Sequence, residues 1–82
     1  MIEIYGTSRC GFCDQAKELA EKYNLDYVYK DASDLDIYQR LIERVGNFET
    51  VPQIFWHGKH IGGYDSFAAE VQNTREFGQD GF

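Results

Sequence analysis

Two cysteines stand three residues apart in Cys10-Gly11-Phe12-Cys13, and the 82-residue chain has no others. They follow a short apolar segment and open a helical pattern. Residues i and i+3 on a first helical turn bring their Cβ atoms to roughly 5–6 Å. A disulfide needs Cα atoms about 4.4–6.8 Å apart, so the pair can open and close with little backbone movement. A helix N-terminus directs unpaired N–H groups and a partial positive charge at whatever lies there. A thiol in that field loses its proton more readily, and the thiolate is the reactive form. The spacing points to thiol–disulfide chemistry. The bland alternatives are a buried structural pair or half of a zinc site. Zinc needs four ligands, and His57 and His60, the chain's two histidines, lie outside finger spacing.

Elements that must position this pair follow from the pattern along the chain. Ile2 to Tyr5 alternates about Glu3 and predicts a strand, with Gly6 to Arg9 a loop. From Phe12, the residues Ala16, Leu19, Ala20 and Tyr23 recur at helical spacing, and Asn24 is a stop. Tyr27 to Tyr29 predicts a second strand. Ser33 is the expected N-cap of a helix with Ile37, Leu41, Ile42 and Val45 on one face, and Gly46 ends it. Gln53 to Trp56 and Lys59 to Ile61 form a hairpin about His57-Gly58, and Gly62-Gly63 breaks the second strand. Asp65 or Ser66 caps a last helix carrying Phe67 and Val71. The domain is expected over 1–76, with 77–82 a loose tail around Gly78 and Gly81. The fold class is α/β in the order β-α-β-α-β-β-α, whose first β-α-β is parallel and right-handed. The strand-to-helix turn at the carboxyl end of a strand is a common site position in such sheets, and Cys10 lies in that turn.

Composition narrows the setting. Eighty-two residues make one small domain with a modest core. Fourteen acidic against eight basic side chains give a net charge of -6. No basic cluster offers the footprint that nucleic acid or an anionic membrane requires. No stretch reaches the ~18–20 apolar residues of a membrane span, and no basic and apolar leader precedes Ile2. One cysteine pair is too few for a secreted disulfide scaffold, so a cytoplasmic setting is expected.

Three segments together resemble the glutaredoxin family: Cys10-Gly11-Phe12-Cys13 after the first strand, Thr50-Val51-Pro52-Gln53-Ile54-Phe55, and Ile61-Gly62-Gly63-Tyr64-Asp65. The resemblance implies a thioredoxin-like fold, a four-stranded mixed sheet in the order 2-1-3-4, and a cis peptide before Pro52. It implies glutathione as co-substrate. It implies partners that are disulfide-containing or glutathionylated proteins, with ribonucleotide reductase as a family-level example, and action as a monomer. Gly11-Phe12 stands where dithiol members often carry Pro-Tyr, and so resembles the turn of the monothiol branch. That branch has a longer loop before its site and a Trp-Pro pair, which are missing here. Gly11 lacks the fixed φ of proline, and the resemblance admits a [2Fe–2S] cluster bridged through Cys10. Such clusters take four thiolates, so glutathione and a second subunit would have to complete the set. This is the less favoured reading, as is a thioredoxin-like electron donor indifferent to glutathione.

Within that resemblance, Cys10 is the expected nucleophile and Cys13 the buried resolving thiol. Arg9 favours the Cys10 thiolate and meets a glutathione carboxylate, or is an ordinary surface cation. Thr50, Val51 and Pro52 supply backbone groups for an extended peptide, or simply start a strand. Gly63, Tyr64 and Asp65 lead into a helix start that can hold a carboxylate, and Asp65 either caps that helix, accepts an ammonium, or does both. Phe12 forms an exposed rim or packs on the first strand. The resemblance also implies that Gln39 or Arg40 reaches glutathione, although the loop at Asn47 to Glu49 is one residue longer than common there.

Overall fold

The computed structural model describes residues 1–80, with side-chain surroundings for residues 1–73. Its elements are β1 (Ile2–Gly6), α1 (Gly11–Lys22), β2 (Tyr27–Asp31), α2 (Leu35–Val45), β3 (Gln53–Trp56), β4 (Lys59–Gly62) and α3 (Tyr64–Asp80). The strands lie in the order β2-β1-β3-β4. β1 runs parallel to β2 and antiparallel to β3, and β3 runs antiparallel to β4. This is the expected thioredoxin-like mixed sheet.

Strand alternation divides the interior in two. On β1, Ile2 and Ile4 face one side, where they pack with Ala16 and Ala20 of α1, Ile54 of β3, and Phe67 and Val71 of α3. Tyr5 faces the other side and packs with Ala32, Leu41 of α2 and Phe55. The alanines of α1 are fully buried, and small residues there let that helix approach the sheet closely.

Several element ends follow from local hydrogen bonding. α1 closes in a Schellman arrangement: Asn24, at φ 56, donates to Glu21 O, and Leu25 donates to Ala20 O at 2.8 Å. α2 stops at Gly46, whose φ of 77 suits glycine and whose N–H reaches Ile42 O. His57 and Gly58 both have positive φ, the requirement of a tight type I′ hairpin turn.

β1, β2 and β4 each run one or two residues past the expected ends, and the ends of α2 and α3 also differ from the sequence reading. Asp34, not Ser33, caps α2, its carboxylate accepting from the N–H of Asp36 at 2.9 Å and of Ile37 at 3.3 Å. Ser33 is held instead by the Asp31 carboxylate, which takes both its N–H and its hydroxyl. Those bonds lower the Asp31 pKa. α3 begins at Tyr64, so neither Asp65 nor Ser66 is its cap; Gly63 occupies that position, and its carbonyl accepts from Phe67 N–H at 3.0 Å. α3 also runs on to Asp80, past the expected start of a tail at 77. A glycine inside a helix costs only about 1 kcal/mol, so Gly78 alone does not end it. Residues 81–82 lie outside the described residues.

Candidate active site

The carboxyl end of β1 delivers the chain through residues 7–9 to Cys10, which is the N-cap of α1 with an extended backbone. Its sulfur accepts a hydrogen bond from the Cys13 N–H at 3.0 Å. A cap side chain takes one of the N–H groups that a helix start leaves unpaired, and here that acceptor is a sulfur atom. The same geometry would stabilise negative charge on Cys10 once the thiol is reduced. Cys10 and Cys13 are joined in a disulfide, with Cα atoms 5.1 Å apart.

The two sulfurs sit in different surroundings. Cys10 is half-buried, and its Sγ stands 3.5 Å from the Val51 carbonyl oxygen. In the disulfide this is a contact between two acceptors, and in the thiol form Cys10 could donate there. Cys13 is 0% exposed. Gly6 makes room for it, since a Cβ on Gly6 would lie 2.5 Å from Cys13 Sγ and 2.5 Å from the Tyr29 hydroxyl oxygen. The sequence reading placed Gly6 in a loop. Its real task is close approach, and a glycine four residues ahead of the first cysteine, at the end of the strand, was the available signal.

Beside Cys10 opens a cavity of about 370 Å³ lined by Phe12, Thr50, Val51, Pro52, Gly63, Tyr64, Asp65 and Ser66. Segments 37 or more residues from the cysteine turn in sequence thus converge on it. The Val51–Pro52 peptide is cis. Phe12 is 58% exposed, and its ring lies 6.1 Å from that of Tyr64, so it is a rim residue and not one packed on β1. Residues 64–66 form the first turn of α3, whose N–H groups have no partner within the helix. Of the paired glycines, Gly62 is the one the backbone demands, with φ 119. A Cβ on Gly63 would meet only Pro52 O, at an ordinary 3.8 Å.

Arg9 and Gln39 are exposed and are not in the cavity lining. Among the described residues, Arg9 makes no ion pair. Arg40 is likewise exposed on α2. Ser66, in the lining, was considered only as a cap in the sequence reading. It lies one turn beyond Gly62, in the segment already singled out.

On the α2 side of the sheet is a charged cluster that the sequence did not disclose. Glu3 Oε1 accepts from Lys30 Nζ at 3.0 Å and from Arg44 Nη1 at 2.9 Å. Arg44 also donates to the Tyr5 hydroxyl at 3.1 Å and lies 3.6 Å from the Phe55 ring centroid. Partial burial would raise the Glu3 pKa, but the bonds and charges of Lys30 and Arg44 outweigh it and the pKa is lowered. Lys30 is raised, chiefly by its bond to Glu3. The cluster ties α2 to β1 and β2, away from the sulfur pair.

Comparison with known proteins agrees with this geometry. A model of the glutaredoxin family, described simply as glutaredoxin, matches residues 2–61. This chain belongs to the glutaredoxin family. It is 43% identical over 78 residues to glutaredoxin 1 of Escherichia coli strain K12, an alignment covering 87% of this chain and 92% of that protein. It is 38% identical over 66 residues to glutaredoxin 1 of Rickettsia prowazekii strain Madrid E, covering 78% and 70%. The reduced Escherichia coli glutaredoxin structure superimposes with a TM-score of 0.77 at 39% identity, covering 92% of this chain and 96% of that one. A buckwheat glutaredoxin in complex with glutathione superimposes with a TM-score of 0.73 at 28% identity, covering 89% and 69%. With its disulfide-forming pair in that setting, this glutaredoxin is a thiol–disulfide oxidoreductase. Among the described residues, no helix is long and apolar enough to cross a membrane.

Proposed function

We propose that this protein uses glutathione to reduce protein disulfides and glutathione mixed disulfides through Cys10 and Cys13. The observation that carries the reading is the cavity walled by Thr50–Pro52 and the first turn of α3, with the Cys10 sulfur 3.5 Å from the Val51 carbonyl at its edge. A short extended peptide fits such a wall. Val51 offers backbone pairing, the α3 N-terminus suits a carboxylate, and Asp65 suits an ammonium. The buckwheat relative, a structural neighbour at 28% identity, is a glutathione complex. Arg9 and Gln39, outside the lining, would reach the ligand only from the periphery.

In the proposed cycle the Cys10 thiolate attacks a glutathione mixed disulfide. A bond forms from Cys10 to the glutathione sulfur, and the substrate leaves as a thiolate that is then protonated. A second glutathione attacks that adduct, releases oxidised glutathione and restores Cys10. With a protein disulfide, Cys10 first bonds to one substrate sulfur; Cys13 then attacks Cys10, freeing the reduced substrate and closing the Cys10–Cys13 bond. Glutaredoxin potentials of about -200 to -230 mV lie near biochemical estimates of the cytosolic glutathione pool, so the glutathione ratio sets the direction. The protein acts as a monomer in the cytoplasm on this reading, and ribonucleotide reductase is one partner to assay. Burial of Cys13 leaves one sulfur of the pair beside the cavity, so a bridging [2Fe–2S] cluster would have to draw thiolates from outside the chain, and no step here uses one.

The test is turnover of a glutathione mixed disulfide in a coupled assay. Saturable dependence on glutathione is expected. Cys10→Ser should abolish turnover, whereas Cys13→Ser should keep it while losing reduction of protein disulfides. Equal loss in both variants would refute the assigned roles. Full activity with a reductase protein and none with glutathione would instead establish a thioredoxin-like donor.

A further inference from the structure

We propose that the Tyr29 hydroxyl donates a hydrogen bond to Cys13 Sγ whenever that sulfur carries negative charge. Cys13 is fully buried, and a buried thiolate without a donor is strongly disfavoured. Its own backbone N–H is already committed to the Cys10 sulfur. A side-chain donor close to it is the phenol of Tyr29. One point, the Cβ position of Gly6, lies 2.5 Å from both Cys13 Sγ and the Tyr29 oxygen, so the two atoms can be no further apart than twice that distance. In the disulfide the hydroxyl donates to the Thr7 carbonyl at 2.7 Å. Once the disulfide opens, Cys13 is free to rotate its sulfur toward the phenol, and the O–H can turn from that carbonyl to meet it.

Burial and two carboxylates keep the phenol protonated, and one cation works against them. The charged groups facing it are Asp14 and Lys17 from α1 and Asp31 from its own strand. Burial raises the Tyr29 pKa first, and the charges of Asp14 and Asp31 raise it further. The phenol is therefore a donor at neutral pH and not a base. Lys17 Nζ lies 4.2 Å from the ring centroid and 3.4 Å from Asp14, placing a cation on the same side chain.

The donor acts in both directions of the dithiol cycle. When an external thiolate attacks the enzyme disulfide, its sulfur bonds to Cys10 Sγ, the Cys10–Cys13 bond breaks, and the electron pair departs on Cys13. When Cys13 resolves a mixed disulfide, its thiolate bonds to Cys10 Sγ, and the substrate sulfur leaves with the electron pair and takes up a proton from water. Cys13 is the charged partner at the start of one step and at the end of the other.

This inference rests on the resolving role proposed for Cys13, and the test separates the two. In a Cys10→Ser background, Cys13 alkylation is followed against pH by mass spectrometry. The midpoint, unlike the rate, does not depend on access. Tyr29→Phe should raise it by about one unit, a tenfold loss of thiolate at neutral pH. A fluorinated tyrosine at 29 keeps ring and hydroxyl but donates more strongly, and should lower it. With Cys10 present, Tyr29→Phe should slow protein-disulfide reduction about tenfold. An unmoved midpoint in either replacement overturns the proposal, even if Tyr29→Phe melts earlier, because loss of the Thr7 bond alone would do that. If Cys13→Ser reduces protein disulfides as fast as the parent, it is the resolving role that fails.

Discussion

Replacing Gly6 by alanine tests how the buried sulfur is housed. The Gly6 φ is not positive, so its backbone accepts any residue and the objection is space alone. The new methyl would stand 2.5 Å from Cys13 Sγ, 2.5 Å from the Tyr29 oxygen and 3.0 Å from Cys13 Cβ. Non-bonded heavy atoms prefer about 3.5–4.0 Å, so the sulfur and the phenol oxygen must each retreat by roughly 1 Å. Neither does so cheaply: the sulfur is tied to Cys10, and the phenol to Thr7. Overpacking of this kind costs about 1–3 kcal/mol, and a domain this size loses about 4–8 °C in Tm for each kcal/mol. Thermal unfolding of the oxidised and reduced forms is the assay. The larger loss is expected in the oxidised form, since reduction frees Cys13 to rotate. Protein-disulfide reduction, which requires Cys13, should fall further than turnover of a glutathione mixed disulfide. A Gly6→Ala protein melting within a degree or two of the parent in both forms, with undiminished dithiol activity, would refute the packing argument.

Other expectations concern the rest of the scaffold. Glu3→Gln should cost roughly 1 kcal/mol at neutral pH, because the pairs are partly exposed and screened. The folded-state pKa of Glu3 is lowered, so its stabilisation is present above the unfolded value and fades as pH falls through the folded one. Denaturation midpoints of parent and variant should therefore converge below about pH 4; a gap that widens on acidification would contradict the assignment. Asp34→Ala should cost about 0.5–2 kcal/mol in urea unfolding as a lost cap, more than Ser33→Ala, and the reverse order would restore Ser33 as the cap.

The sequence disclosed the parts of this protein that obey local rules. The helical stripe after Phe12, the Asn24 and Gly46 stops, and the His57-Gly58 turn each depend on a few neighbouring residues, and each appears as read. The cavity lining was legible for a different reason. Phe12, Thr50–Pro52 and Gly63–Asp65 lie in three segments whose joint spacing resembles one family, so their convergence did not have to be derived from packing. What escaped depends on distance or on competition. Glu3 and Arg44 are 41 residues apart, and Arg44 by itself reads only as a favourable cation in a last helical turn. Ser33 and Asp34 are both good caps, and the choice fell to Asp34 because Asp31 captures Ser33. The start of α3 moved to Tyr64 because the Gly63 carbonyl, with no side chain involved, makes the first helical bond.

β1 is hydrogen-bonded on both flanks, to β2 and to β3. Amides of such a doubly paired strand exchange with deuterium only when the whole domain opens. The cysteine turn hangs from the end of that strand, where the slowest exchange is expected. The opposite wall of the cavity comes from the segment before β3 and the start of α3, both outside the strand pairs of β1. The cavity thus lies between the turn at the end of the most fully paired strand and a wall made by segments that no β1 pairing holds.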